Sequence, residues 1–358
     1  MKPTDTTVKL DLPISSDPAL RRRFLVLNEP FPGNLRFGVL LEKLDWLAHD
    51  TALDYARRVH PEARAVTAAV DEILVRHVSN AQRDLVCSGR INRVGRTSME
   101  IGIRVESESE PRHYASCYFT MVARDGDGPG AASIPVPPLE PEGALEERRA
   151  EKALERQQAW RARTAALLAP PSREEFEELR RLHAAQEADG FDGVRAGTTT
   201  IESWERTYPE QENESKVIFG GYIMRRAYEL ASICADRVTP HRPVIAAVNR
   251  VNFIHPVEIG DKLRFSSTVV YAEGPAVCVQ TSIERMSRDR SVRALSNSCL
   301  FTFVNVAPDL TLRDAPTIHP VTYAEDGRWL DARRTLRDLE SRLREPWLDL
   351  ARLPGEGR

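Results

Sequence analysis

The chain has 358 residues, enough for two domains of ordinary size, each with its own hydrophobic core. The net charge of −3, from 50 basic and 53 acidic residues, argues against nucleic acid as the main partner, because that partner favours a basic excess. No stretch approaches the roughly 18 apolar residues of a membrane span, and residues 1–23 lack the apolar core of a secretory signal.

Hydrophobic patterning predicts two series of elements along the chain. The first series is a strand, a short capped helix, a long amphipathic helix and four strands, at residues 7–14, 16–21, 38–59, 65–75, 84–94, 98–106 and 114–124. The second series is a strand, a long helix and a further set of strands, at residues 198–208, 219–238 and 244–306. Each half therefore predicts one long helix and one antiparallel sheet.

A segment of different composition separates the two series. Residues 126–138 are rich in proline and glycine, and two charged helices follow at 142–168 and 172–188. A charged helix usually faces solvent, so this segment is interpreted as a solvated connection. A last helix is predicted at 331–350. The predicted organisation is a first domain at 1–125, a linker at 126–197, a second domain at 198–310 and a helical tail at 311–358.

Three landmarks occur twice, in the same order. Residues 116–122 (SCYFTMV) match 298–304 (SCLFTFV), residues 66–71 (VTAAVD) match 244–249 (VIAAVN), and a Phe-Gly pair opens each long helix at residues 37 and 219. This pattern indicates a duplicated domain. One helix and one curved antiparallel sheet bury each other when the sheet wraps the helix, so we expect an α+β fold with two tandem hotdog domains paired edge to edge.

The five cysteines are scattered and lie in apolar contexts: Cys87, Cys117, Cys234, Cys278 and Cys299. They predict reduced thiols in the core of an intracellular protein, and no spacing among them resembles a metal site.

Residues 218–231 (IFGGYIMRRAYELA) resemble the signature helix of the mitochondrial-type acyl-CoA thioesterase 9 family. The first half agrees at residues 40–45, 66–71 and 88–100. The resemblance covers most of 7–125 and 170–306. It implies a double hotdog that hydrolyses fatty acyl-CoA to a fatty acid and coenzyme A, with no cofactor, because coenzyme A is part of the substrate. It also implies a trimer of double hotdogs and a mitochondrial matrix location. A cytoplasmic form is the alternative, because the first residues do not resemble a transit peptide.

Aligning the copies on Gly38 and Gly221 places Asp45 opposite Tyr228, each seven residues after its glycine. The resemblance places an acidic residue at this helix position. Asp45 is therefore predicted to be the general base or nucleophile of thioester hydrolysis. Without the repeat, a solvated helix residue would be the simpler interpretation of Asp45. Glu229, one step after Tyr228, is the alternative acid.

The same alignment places Asn213 opposite Pro30, each eight residues before its glycine. The resemblance assigns a water-orienting amide from the opposing half to the position of Asn213. The acid thus survives in one copy and the amide in the other, which predicts one working site between the halves. The mirror site would hold Pro30 and Tyr228, which cannot activate water. A turn role is the alternative for Asn213, since it lies in a polar loop.

A thioester carbonyl needs a hydrogen-bond donor, and the first-turn amides of a helix lack intrahelical partners. The Gly220 N–H is predicted to polarise the carbonyl, although the glycine pair also permits close packing. The residues predicted to bind the CoA or acyl part are Gly221, Gly38, Gly95, Arg96 and Arg93, with Arg225 and Arg226 as further candidates.

Two other functions are weighed. A hotdog hydratase or dehydratase would place a catalytic histidine near the helix acid; His49 and His255 are isolated in sequence, and a surface or core role is the simpler interpretation of each. A non-catalytic acyl-CoA-binding protein would have lost the site in both halves. The separate retention of Asp45 and Asn213 argues against that alternative.

Overall fold

The computed structural model describes residues 1–25, 33–77, 82–107, 113–128, 130–167 and 169–344. The helices in this part are α1 (Pro18–Phe24), α2 (Phe37–Arg57), α3 (Ala144–Leu167), α4 (Arg173–Ala185), α5 (Gly220–Ala235) and α6 (Tyr323–Arg344). The strands are β1 (Val8–Leu12), β2 (Ala63–Val75), β3 (Leu85–Val94), β4 (Ser98–Ser107), β5 (His113–Asp125), β6 (Ala132–Ser133), β7 (Val194–Arg195), β8 (Ile201–Arg206), β9 (Val244–Phe253), β10 (Lys262–Glu273), β11 (Ala276–Met286), β12 (Arg293–Val304) and β13 (Ile318–His319).

One large sheet joins the two halves of the chain. Its order is β1-β3-β4-β5-β2-β9-β12-β11-β10-β8, and the short β6 pairs with β5. The halves meet where β2 and β9 pair antiparallel, from Ala69 opposite Asn252 to Leu74 opposite Ala247. Two tandem hotdogs paired edge to edge are therefore confirmed.

The long helices α2 and α5 lie against the sheet and contact each other. The apolar stripe of α2, which includes Leu40, Leu44 and Ala48, is fully or almost fully buried. Glycines allow the two helices to approach closely in a mirrored way. A methyl group on Gly38 would lie 3.1 Å from Tyr228 Cδ1, and one on Gly221 would lie 3.0 Å from Asp45 Cβ. This reciprocal packing matches the sequence alignment of the two copies.

The linker helices are mostly exposed or half-buried, as expected of a solvated connection, but they also pack on the two halves of the sheet. Helix α3 packs on the outer face of the first half of the sheet, where Ala153 is buried. Arg156 lies 3.7 Å from the centre of the Tyr118 ring and pairs with Glu100 at 2.6 Å. Helices α4 and α6 cover the second half, with Trp329 in their core. Only a narrow face of each charged helix contacts the rest of the protein, so the overall composition of these helices does not indicate the packing.

The last helix begins at Tyr323, eight residues before its predicted start. Gly327 lies inside its first turns, although it resembles a helix boundary in sequence. Residues 345–350 of the predicted helix lie outside the described part of the chain. All five cysteines are buried free thiols, as predicted. Within the described residues, no helix is both long and apolar enough to cross a membrane.

Candidate active site

A cleft of about 200 Å³ lies between the two halves, which we call the interface cleft. Its walls come from the start of β2, the loop before α5, the N-terminus of α5 and the segment after β9. The polar and glycine residues among its walls include His49, Thr67, Asn213, Gly220 and His255. The interface cleft therefore brings residues of both copies to one place.

Asp45 lies on α2 and is fully buried; it does not itself line the interface cleft, but its hydrogen-bond partner Thr67 does. Its Oδ1 accepts a hydrogen bond of 2.8 Å from the Thr67 hydroxyl. Its Oδ2 has no hydrogen bond of normal geometry within the described chain, although the Gly221 N–H is near enough to lower the pKa. Burial outweighs these interactions and raises the pKa of Asp45 to about 6. A carboxyl with this pKa can accept a proton near neutral pH.

The N-terminus of α5 faces this carboxylate. Phe219 is the N-cap residue and makes no side-chain cap, so the first amides of α5 stay available. A methyl group on Gly220 would lie 3.3 Å from Asp45 Oδ2 and 3.0 Å from the Phe253 ring. The glycine pair thus brings the positive end of the helix dipole onto the acid.

Asn213 lines the interface cleft from the loop before α5. Its Oδ1 accepts hydrogen bonds from the backbone N–H groups of Ser215, at 2.9 Å, and Val217, at 3.3 Å. Lys216, between them, has a φ of 55°, which such a tight turn requires. The Nδ2 group bonds to no described residue, so it remains available to a bound molecule. A turn role and a ligand role are therefore compatible in Asn213.

The mirror position is filled by aromatic rings. Tyr228 is buried, with its ring 5.3 Å from that of Phe37, 5.8 Å from Phe301 and 5.9 Å from Phe303. Burial also raises its pKa well above the usual value. Pro30, the other residue of the mirror position, lies outside the described residues. The side of the pair around Tyr228 is thus hydrophobic core.

A thioesterase-superfamily family model matches residues 38–112 and 215–290, once in each half. Human mitochondrial acyl-coenzyme A thioesterase 9 is 30% identical over 351 residues, which cover 92% of this chain and 76% of the human protein. The chain belongs to the acyl-CoA thioesterase 9 family. The mouse protein of that name is 29% identical over 362 residues, covering 95% of this chain and 79% of the mouse protein. A solved acyl-ACP thioesterase from Bacteroides thetaiotaomicron, 11% identical, shares the fold with a TM-score of 0.50, over 85% of this chain and 100% of the other.

Other predicted residues of this acyl-CoA thioesterase 9 family member lie elsewhere. Gly38 packs on Tyr228, in the mirror half. Arg93 and Gly95 line a second cavity on the outer face of the sheet. Arg96 is exposed and lines neither of the two cavities. These four positions stay predictions for binding.

The alternative acid, Glu229, lies in an ion-pair network. It pairs with Arg36, with Arg225 at 3.2 Å and with Arg226 at 3.0 Å. All three partners of this carboxylate are guanidinium groups, whereas Asp45 Oδ2 faces the N-terminus of α5 without a hydrogen bond of normal geometry among the described residues, which favours Asp45 as the acid. The same pairing engages the two arginines that were further candidates for CoA.

Two residues at the site were not assigned to it from sequence: Thr67 was missed, and His49 was weighed only as an isolated surface or core histidine. Thr67 anchors Asp45, and its repeat counterpart is Ile245, which has no hydroxyl. This difference could have indicated Thr67 from sequence, because the hydroxyl residue occurs only in the copy that has the acid. His49 lies one turn after Asp45, is 2% exposed and lines the interface cleft, and its Nε2 has no hydrogen-bond partner in the described structure. Helical spacing from Asp45 could have indicated it.

Gly221→Ala should lower both stability and turnover. The added methyl group would lie 2.6 Å from the Phe219 ring and 3.0 Å from Asp45 Cβ, so α2 and α5 must separate, which costs about 1–3 kcal/mol. Thermal unfolding and kcat measure the two effects. Gly327→Ala in α6 is the control, since nothing lies within 4 Å of its methyl position, and it should gain up to ~1 kcal/mol. Unchanged kcat in Gly221→Ala would contradict the close-approach argument.

Proposed function

We propose that the protein hydrolyses acyl-CoA to a fatty acid and free coenzyme A at one site per chain, in the interface cleft. Family membership makes the chain an acyl-CoA thioester hydrolase. The observation that carries the site assignment is the buried Asp45, held by Thr67 and facing the uncapped N-terminus of α5. The decisive test is release of free thiol from acyl-CoAs of several chain lengths, measured with a thiol reagent.

In the proposed reaction, the ionised Asp45 carboxylate takes a proton from water, and the water oxygen attacks the thioester carbonyl carbon. The C–S bond then breaks, the sulfur of coenzyme A takes up the proton that Asp45 had accepted, and the acyl group leaves as the fatty acid. The Asn213 amide orients the water or the thioester. Direct attack by the Asp45 carboxylate, followed by hydrolysis of the mixed anhydride, is the alternative role.

The negative charge that develops on the carbonyl oxygen needs a fixed donor. The Gly220 N–H at the N-terminus of α5 is suited to this task, because it costs no reorganisation and adds the field of the helix dipole. The Phe253 ring lies 3.0 Å from the methyl position of Gly220, and the Phe219 ring lies 2.6 Å from that of Gly221, so two aromatic rings flank the start of α5. The thioester carbonyl is therefore proposed to point at Gly220.

The mirror half is proposed to be inactive, because Tyr228 and Ile245 replace the acid and its hydroxyl partner. For assembly and location the family supplies the proposals: a homo-oligomer, with a trimer of double hotdogs as the specific form, and the mitochondrial matrix, with the cytoplasm as the alternative. The human and mouse relatives are named as mitochondrial. Mass measurement in solution and cell fractionation test these two points.

The pH dependence of kcat/KM should show an acid limb near pH 6, because Asp45 acts only when ionised and its pKa is raised to about 6. The Thr67 hydrogen bond lowers this pKa. Thr67→Val should therefore move the acid limb to higher pH and also lower kcat. A pH–rate profile of both proteins checks the shift; an unmoved limb would show that another group controls it. Thr7→Val, at an exposed position before β1, is the control.

One observation makes a second activity worth testing. His49 lines the interface cleft and lies one helical turn after Asp45, which is the pairing a hotdog hydratase would need. Loss of enoyl-CoA absorbance, recorded with the thiol assay, measures hydration directly. Thiol release without enoyl-CoA consumption assigns the interface cleft to hydrolysis alone.

A further inference from the structure

A second cavity, of about 430 Å³, lies between helix α3 and the outer face of the first half of the sheet. We call it the linker chamber. Its floor carries Ala69, Asp71 and Thr120 from β2 and β5, and its roof carries Gln157 and Arg161 from α3. The volume lies within the roughly 300–1,000 Å³ typical of small-ligand pockets. The duplicated fold does not supply this roof, because α3 belongs to the linker.

The linker chamber adjoins the interface cleft. The two cavities share Ala68, Phe253 and Ile254 among their walls. The Phe253 ring also packs on Gly220, at the proposed carbonyl site. A substrate whose thioester lies at Gly220 can therefore extend past Ala68 into the linker chamber.

In the described part of the second half, the space that corresponds to the linker chamber is filled, so the open chamber is specific to the half that contains Asp45. The counterpart of Ala69 is Ala247, which is fully buried in a cluster with Tyr271 and Trp329. The Tyr271 and Trp329 rings meet edge to face at 5.2 Å. Helix α6 thus fills the space that α3 leaves over the first half. The space is open in the half that contains Asp45 and filled in the half that contains Tyr228. This difference indicates that the linker chamber holds a ligand.

The hydrogen-bonded side-chain pairs beneath α3 and α6 also differ between the two halves. Thr120 donates to the Asp71 carboxylate at 2.8 Å, and both residues are half-buried. In the second half the Asn249 amide donates to Thr302 at 2.7 Å, and both residues are buried. The wall of the chamber therefore carries a carboxylate where the covered half holds a buried amide. Carboxylate oxygens suit amide N–H and hydroxyl donors, which the pantetheine arm of coenzyme A carries.

The charges at the roof suit the phosphates of coenzyme A. Arg161 is exposed beside the chamber, and its guanidinium pairs with no residue in the described part of the chain. Arg93 lies deeper and donates to Gln157 at 3.1 Å. The nearby Glu100 carboxylate is already paired with Arg156, which reduces its repulsion of a phosphate. Guanidinium groups bind phosphates by charge-assisted hydrogen bonds.

We propose that the linker chamber binds the pantetheine arm and phosphates of coenzyme A, with Asp71 as an acceptor and Arg161 as a phosphate contact. The proposal rests on the proposed hydrolysis of acyl-CoA. It makes α3 a substrate-binding element of this chain and explains why a charged linker helix packs on the sheet. It also fixes the direction of the substrate, with the nucleotide end on the outer face.

The test compares hydrolysis of an acyl-CoA with hydrolysis of the same acyl group on pantetheine, which lacks the nucleotide and its phosphates. Arg161→Ala should raise KM for acyl-CoA roughly five-fold, the effect of one partly solvated charge contact, and change KM for acyl-pantetheine far less. The KM difference between wild type and variant should shrink as salt is added. Arg148→Ala, an exposed arginine of α3 away from the chamber, is the matched control.

Equal KM changes for both substrates, or none for either, would overturn the chamber assignment. Direct titration with free coenzyme A keeps this result separate from the hydrolysis proposal. If wild type releases no thiol from either substrate, hydrolysis at the interface cleft fails. In that case, roughly five-fold weaker CoA binding by Arg161→Ala would still support the chamber, and unchanged CoA binding would refute it.

Discussion

Asp45→Asn should lower kcat about 10³-fold, because the amide cannot accept a proton from water. The side chain keeps its size and can still accept the Thr67 hydrogen bond, so KM should change little. Thiol release from a saturating acyl-CoA measures the loss. Asp54→Asn is the control on the same helix, since that carboxylate is exposed and pairs with Arg58.

The same substitution should stabilise the fold above pH 6. Burial raises the pKa of Asp45 from 3.8 to about 6, so the folded state holds its proton more tightly than the unfolded chain. Below pH 3.8 both states are protonated and the free energy of unfolding carries no penalty. As pH rises towards 6 the unfolded chain ionises first and stability falls, to a full penalty of about 3 kcal/mol above that pH.

Thermal unfolding at two pH values tests this sign. Asp45→Asn and wild type should melt at similar temperatures at pH 4, and the variant should be more stable by about 2 kcal/mol at pH 8. A variant that is less active and also less stable at pH 8 would show that Asp45 is a structural residue. The combination of lost turnover and gained stability is typical of a group buried for chemistry.

The repeat made most of the fold predictable. Landmarks such as the Phe-Gly helix start recur because both copies build the same sheet, and the paired strands β2 and β9 follow from two halves with matching edges. The alignment on Gly38 and Gly221 also predicted that Asp45 and Asn213 share one site, and the structure places Asn213 in the same cleft as Thr67, the hydrogen-bond partner of Asp45. Local spacing carries this information, since a helix and its flanking loop keep their geometry in both copies.

Contacts between distant parts of the chain were not predictable. The Thr67 hydrogen bond joins β2 to α2, and α3 packs on a sheet whose strands lie well before it in sequence. The composition of α3 reports only its solvent face, because few of its residues, such as Ala153, touch the sheet. The linker chamber is formed by that packing and has no signature of its own.

The two roles of Asn213 can be separated by comparing two substitutions. Asn213→Asp keeps an oxygen that accepts from the Ser215 and Val217 N–H groups, so the turn before α5 should persist. It removes the amide N–H groups, so kcat should fall about 10²-fold, as for loss of one fixed donor. Asn213→Ala removes both functions, so it should also lose about 1 kcal/mol of stability.

The two Asn213 variants are compared by their stability and by their turnover, measured separately. The new carboxylate would raise the pKa of Asp45, so kcat is compared well above pH 7, where Asp45 is ionised in both proteins. Glu210→Gln, at an exposed position of the same loop, is the control. If Asn213→Asp retains full turnover at high pH while Asn213→Ala loses both turnover and stability, Asn213 only shapes the turn. A selective loss in Asn213→Asp would mean that the second copy contributes a working group to the acid of the first.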